Sequence, residues 1–180
     1  MEKRIQFYLR RKRVINAAPP PEGYDFQLWK PSLLEIKPSR LPMHPKLVIW
    51  WLFHQLGIFQ TKDYSILLIV HEKAIAHYSF VFPKWFRFPF MTRGDLQIGD
   101  VWTSENHRNR GLASCALCKI VQLHESDAAD LWYLTTNENE PSAKVAQKAG
   151  FTLHAEGVRT NCLGLSLLGS YQTSNFPSRK

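Results

Sequence analysis

Strands that lead directly into helices predict an α/β fold for this chain of 180 residues. Three observations carry the prediction. Residues 96–103 read as a strand, with Leu96, Ile98, Val101, Trp102 and Thr103 of apolar, aromatic or β-branched type. After the polar turn Ser104-Glu-Asn-His107 the pattern becomes helical, with Leu112, Ala116, Leu117, Ile120 and Val121 at spacings of three and four. Residues 131–135 repeat the junction, a short strand before a second helix. Two further apolar runs, 64–70 and 74–82, flank His71-Glu-Lys73 and read as a hairpin.

In chain order, residues 4–15 form a first strand in which Ile5, Phe7 and Leu9 alternate. Residues 17–45 hold seven of the eleven prolines, so long regular structure is not expected there beyond a short helical turn near 32–36. Pro45 suits the first turn of a helix running to about residue 56, which Gly57 ends. Its apolar content is wider than one face. Core packing accounts for most of it, and Trp50, Trp51 and Phe53 are candidates for a pocket or partner surface. The loop Pro83-Lys-Trp85-Phe86-Arg87-Phe88-Pro89-Phe90-Met91 is costly to leave wet. It reads either as a lid folded on the core or as a surface for an acceptor or for a homo-oligomer, with Lys84 and Arg87 facing an anionic acceptor. Asn139 caps the second helix, Pro141 sits in its first turn and Gly150 ends it. Residues 152–155 and 158–168 read as a last hairpin turning at Glu156-Gly157, and 171–180 as a polar tail. One domain over 1–180 accommodates all of this.

The turn between strand and helix has the makings of an anion site. The first amides of a helix lack intrahelical partners, Gly111 has no Cβ to obstruct a phosphate, and Arg108 and Arg110 add charge. It is neither a Walker loop nor a Rossmann glycine fingerprint. Arg108-Asn109-Arg110-Gly111-Leu112-Ala113 resembles the phosphate-binding motif of the GNAT acyltransferase superfamily, Gln/Arg-x-x-Gly-x-Gly/Ala. The run from Asn139 to Lys148-Ala-Gly150-Phe151 resembles that family's second signature, an asparagine opening a helix that ends in Lys-x-Gly-Phe. The resemblance covers residues 64 to about 168 well and the first 60 poorly.

The resemblance implies an α+β arrangement, a mixed, largely antiparallel sheet flanked by helices, whose strands splay beside Asp100–Thr103. It implies acetyl-CoA as acyl donor and direct transfer to a primary amine. The backbone from Arg108 to Ser114 would hold the pyrophosphate, that of Val101, Trp102 and Thr103 would pair with pantetheine, and Asn139 would bond the pantetheine arm. Many members carry a tyrosine seven residues after that asparagine, placed to protonate the departing thiolate. Here the position is Ala146. Ser142 and Tyr133 are the substitute candidates, or the thiolate leaves unassisted, since a thiol pKa near 8.5 makes it a fair leaving group. Asp100 is the candidate base for the attacking ammonium, with a structural hydrogen-bonding role as its bland alternative. His77 and Glu105 are weaker candidates, and His107 shapes the turn.

The formal charge of +8 is concentrated in the first 13 residues, where Lys3, Arg4, Arg10, Arg11, Lys12 and Arg13 oppose Glu2. Such a block suits nucleic acid, a strand edge guarded against pairing, or a phosphorylated acceptor. No RNA- or DNA-binding motif accompanies it, and nucleic acid ranks last. No apolar run is long enough to span a membrane and no signal peptide is visible, so a cytoplasmic chain is expected. Cys115 and Cys118 lie inside the predicted helix without a second metal-ligand pair, which makes them packing residues, and no metal is expected. The favoured function is N-acetylation, with an amino sugar carried on a nucleotide as the preferred acceptor. A non-catalytic acyl-CoA or partner-binding module of the same fold is the alternative.

Overall fold

The computed structural model describes residues 4–11, 19–124, 130–160 and 169–174. Its elements run β1 (Arg4–Arg10), β2 (Tyr24–Trp29), α1 (Pro45–Gln55), β3 (Ser65–His71), β4 (Ala74–Pro83), β5 (Leu96–Thr103), a 3₁₀ turn at Glu105–His107, α2 (Leu112–Leu123), β6 (Leu131–Thr136), α3 (Glu140–Lys148), β7 (Thr152–Arg159) and β8 (Tyr171–Ser174). The strands form one sheet in the order β2-β3-β4-β5-β6-β1-β7-β8. Only β5 and β6 pair in parallel, and the other neighbours are antiparallel.

Both faces of the sheet are covered, which explains why β3 reads as an unbroken apolar run rather than an alternating one. Leu67 and Ile69 point to the side where Leu112, Ala116, Leu117 and Ile120 of α2 pack. Ile66, Leu68 and Val70 point to the side closed by Leu47 and Trp50 of α1 and by the aromatic loop. That loop is a lid on the core. Trp85, Phe88 and Met91 are buried, and Trp85 meets Trp50, Phe53, Phe59 and Phe88 edge-on. Arg87 is buried with it, its guanidinium 4.5 Å above the Trp85 ring.

Four expectations need correction. The proline-rich stretch contains a strand, β2, which occupies a sheet edge and so tolerates Pro19–Pro21 before it and Pro31 after it. Residues 32–36 make no helical turn. Ser32 and Glu35 instead close a bend through two hydrogen bonds. Glu156 and Gly157 lie inside β7 and pair with Gln6 and Ile5, so the strand does not turn there. Gly157 is required by proximity, because a Cβ would lie 2.0 Å from the Gln172 carbonyl oxygen of β8. Residues 171–174, read as tail, are that strand, and the Tyr171 amide donates to the Arg87 carbonyl. The expected strand over 158–168 and the end of the first strand beyond residue 11 fall largely outside the described residues. Cys115 and Cys118 are free thiols on α2, half-buried. Among the described residues no helix is long and apolar enough to cross a membrane.

Truncating Trp85 to alanine leaves a hole where five aromatic rings meet, and a loss of about 3–5 kcal/mol in unfolding free energy is expected. Phe86→Ala, at a half-exposed ring of the same loop, should stay within about 1 kcal/mol. Urea denaturation of the two variants checks both values.

Candidate functional site

The site begins where β5 and β6 separate. Asp95 fixes their shared start. Its carboxylate accepts hydrogen bonds from the Thr92 amide at 2.8 Å, the Thr92 hydroxyl at 2.8 Å, the Trp132 indole at 3.0 Å and the Asp130 amide at 3.3 Å. Three parallel pairs follow, Leu96 with Leu131, Gln97 with Trp132 and Ile98 with Tyr133. Beyond them β6 continues beside β1 and β5 beside β4. From Gly99 to Thr103, β5 therefore has no strand neighbour on one side among the described residues, and the Thr103 carbonyl accepts instead from Arg108 Nε at 3.4 Å. Opposite Tyr78 and Phe80 the ladder shifts by one residue, and Asp100 takes a φ of 44°. This is a β-bulge, a device that re-aims side chains.

One cleft opens beside the free edge. It measures about 650 Å³ and is lined by Val101, Trp102 and Thr103 on one wall and by Asn139, Ser142 and Lys144 on another, with the turn at 107–114 at its end. Gly111 caps α2 with φ +74°, and nothing lies within 4 Å of where a Cβ would stand. The Cys115 amide is the first to bond back into the helix, to the Gly111 carbonyl. The amides of Leu112, Ala113 and Ser114 precede it without such partners, the arrangement that receives an anion. Arg108, Lys144 and Lys148 bring positive charge to the lining. Open space at Gly111, free helix amides and three cations make a fit for a diphosphate. Arg110 is exposed and stands outside the lining. The Tyr24 hydroxyl meets His107 Nδ1 at 2.8 Å, so the missed strand β2 supports this turn.

Tyr133 and Ser142, named separately from the sequence, come together here, with the phenol and the hydroxyl 2.5 Å apart. Burial raises the Tyr133 pKa, and the Ser142 hydrogen bond opposes that only in part. The phenol therefore holds its proton at neutral pH. Ala146 is completely buried among core residues, so a larger side chain has no room there. Asn139 is the N-cap of α3 and accepts from the Ser142 amide at 3.2 Å. Lys144 was not singled out from the sequence, and Lys148 entered only as part of the Lys-x-Gly-Phe signature. Their spacing of four on a helix beginning at Asn139 is the signal that puts both on one face.

A second cavity of about 620 Å³ lies on the other side of β5, between β4, α1 and the segment before α1. It shares only Val101 and Trp102 with the first. Asp100 lines it, with Lys46 Nζ 3.9 Å from the carboxylate. Tyr78 and Trp102 stack in its wall, ring centres 5.1 Å apart at 18°. Glu105 is exposed and paired with Arg108 at 3.5 Å, and it lines neither cavity. Arg87 borders a smaller, 190 Å³ pocket with Asp100, and burial lowers its pKa to about 10.

His77 sits beneath the end of β5. It is fully buried, with Nδ1 2.7 Å from the Thr103 hydroxyl and Nε2 2.8 Å from that of Ser79. Burial pushes its pKa down to about 4, so it is a neutral strut and not a base. Among the described residues no group of three histidines, cysteines or carboxylates is placed to hold a metal ion.

The sequence matches the family described as Acetyltransferase (GNAT) over residues 26–151. No curated protein matches it. Among solved structures, the fold is similar to a GCN5-related N-acetyltransferase from Sphaerobacter thermophilus, with 18% identity, a TM-score of 0.56, and coverage of 86% of this chain and 50% of that one. A GNAT-family acetyltransferase from Colwellia psychrerythraea gives 14% identity and a TM-score of 0.56, with 86% and 54% coverage. A GCN5-related N-acetyltransferase from Kribbella flavida gives 12% and 0.52, with 86% and 56%. The chain thus spans about half the length of these proteins.

The depressed His77 pKa makes a stability prediction. In the unfolded chain the imidazole titrates at its ordinary 6.5, in the folded chain near 4. The stabilising contribution is present above pH 6.5 and is lost as the pH falls towards 4, by about 3 kcal/mol. The difference in unfolding free energy between the native protein and His77→Gln should shift by that amount, against the native protein, between pH 7 and pH 4 in urea titrations.

Proposed function

The chain belongs to the GNAT acetyltransferase family, and from that premise we propose that it is an N-acetyltransferase, moving the acetyl group of acetyl-CoA directly to a primary amine. The observation that carries this reading is the pair of cavities, about 650 and 620 Å³, that meet only at Val101 and Trp102 of β5. Donor and acceptor entering from opposite sides would meet there, without a covalent enzyme intermediate.

The roles follow from chemistry and position. The amides at 112–114, with Arg108, Lys144 and Lys148, would hold the diphosphate of the donor. The free edge of β5 at Val101–Thr103 would pair with the pantetheine arm as an added strand does, and an amide there would polarise the thioester carbonyl. The acceptor nitrogen must be unprotonated to attack. Asp100, on the acceptor side of the bulge, takes that proton directly or through water. The C–N bond forms, the C–S bond breaks, and the thiolate departs. Tyr133, with its proton retained and its hydroxyl held by Ser142, would donate to the sulfur in place of the usual tyrosine. Asn139, engaged as helix cap, positions that end of the cleft.

The aromatic loop lends a nucleotide-linked amino sugar little support as acceptor. That assignment rested on Arg87, on the aromatic loop and on the N-terminal basic block. Arg87 is buried over Trp85, and the loop's Trp85, Phe88 and Met91 are core. Of the aromatic rings and cations of that loop, Phe86 alone is exposed, and Lys84 and Phe90 are half-buried. A non-catalytic acyl-CoA binder is the second reading, favoured by Ala146 alone. It binds acetyl-CoA and releases no thiol with any amine.

Two variants test the proposal. Gly111→Glu sets a carboxylate against the diphosphate and should weaken acetyl-CoA binding about a hundredfold in calorimetry, since facing like charges cost several kcal/mol. Gly57→Glu is its control, at the same kind of backbone, φ +69° with open space around it, but outside the cleft. It should bind as the native protein does. Tyr133→Phe should lower kcat about a hundredfold while leaving the KM for acetyl-CoA unchanged. Equal rates for Tyr133→Phe and the native protein would remove the phenol from the mechanism.

A further inference from the structure

We propose that the acceptor is a primary amine on an apolar, aromatic body, its ring lying against the Tyr78–Trp102 pair and its ammonium on Asp100, in the seat that Lys46 takes in this structure. The inference rests on the acetyltransferase reading and narrows it.

The walls of the acceptor cavity set the body of the ligand. Leu41, Leu47, Trp50 and Phe80 form its apolar lining, and Trp102, 40% exposed, shows an aromatic face to it. A hydroxyl-rich sugar would leave polar groups unmatched against those side chains, each at a cost of about 1–3 kcal/mol. A flat ring gains from them instead, through burial and stacking beside two parallel aromatic rings.

The charges set the head of the ligand. Among the described residues Asp100 is the only carboxylate in the lining, while Arg40, His44 and Lys46 are its basic members. One anion beside Arg40 and Lys46 offers a seat for one cation, taken in exchange for the Lys46 ammonium. A polyamine brings two or three and would find Arg40 and Lys46 in place of a second carboxylate. The bulge turns Asp100 to this side of β5, next to the residues shared with the donor cleft. An ammonium bound there is already beside the group that must deprotonate it.

Lys46 shows that the seat accepts a primary ammonium. Its Nζ stands 3.9 Å from Asp100 Oδ1, with the two side chains 59% and 41% exposed. A long, exposed ion pair of this kind contributes little, so an incoming ammonium displaces it readily. Lys46 is then a competitor of the acceptor. Were the acceptor to carry a carboxylate or phosphate, Lys46 would be its partner instead, and the two roles predict opposite effects of removing the lysine.

The experiment titrates 2-phenylethylamine, tryptamine, glucosamine and spermidine into the protein by calorimetry. The same amines are then followed by thiol release with acetyl-CoA present. The two aryl amines should bind most tightly and release thiol fastest. Asp100→Asn should weaken them about tenfold or more, the scale of a lost charge-assisted hydrogen bond. Asparagine tolerates positive φ, so this variant keeps the bulge. Lys46→Met should tighten them several-fold. Tighter binding or faster turnover of glucosamine or spermidine, no binding of the aryl amines, or weaker binding in Lys46→Met overturns the inference. Thiol release with glucosamine alone would leave the acetyltransferase reading standing and this inference fallen. Binding of the aryl amines through Asp100, with acetyl-CoA bound and no thiol released by any amine, would overturn the acetyltransferase reading and with it the role of acceptor, leaving the cavity an aryl-amine binding site.

Discussion

β5 and β6 run together for three residue pairs and then diverge. A parallel pair normally continues until both strands end. Here β6 is claimed by β1 on its far side and β5 by β4, so neither can bend back to close the gap. The unpaired backbone at Gly99–Thr103 would be an aggregation-prone edge in the middle of a sheet. It is tolerable because helices α2 and α3 wall one side of the opening and α1 walls the other. The opening is therefore a constraint before it is a site. Backbone groups that water satisfies in the free protein are the ones a strand-like ligand can satisfy when it enters.

Rigidity at this junction comes from buried polar groups, each fully engaged. Asp95 ties the start of both strands through four donors, and His77 props the end of β5 between two hydroxyls. Between those anchors the bulge at Asp100 absorbs one extra residue. The aromatic lid works on the opposite face. Tyr171 of β8 stacks on Phe88 at an interplanar angle of 3°, so the last described strand and the loop at 83–91 brace each other.

Local signals were legible in the sequence and long-range ones were not. The turn at 108–114, the cap at Asn139 and the apolar runs of β3 and β4 are written in neighbouring residues. Each lies where that local chemistry requires. Tyr133 and Ser142 were individually visible, but their contact depends on β6 and α3 packing side by side. β2 was hidden by its flanking prolines, although Tyr24, Phe26 and Leu28 alternate. An edge strand makes few demands on the residues around it. Glu156-Gly157 has the composition of a turn. Its glycine answers instead to the carbonyl of Gln172, fifteen residues on. The bulge was invisible because a positive φ at an aspartate follows from the register of two strands and not from the residue itself. Lys46 and Tyr78 became part of the site only once α1 and β4 were seen to face the same space.

The division of the lining between chain segments has a consequence for how such a protein diversifies. The cleft beside Gly111 is assembled from residues 101–148, and the cavity beside Asp100 chiefly from 40–50 with short pieces of β4 and β5. Two residues are common to both. Insertions, deletions or substitutions ahead of and within α1 can therefore reshape one cavity while the lining of the other stays intact.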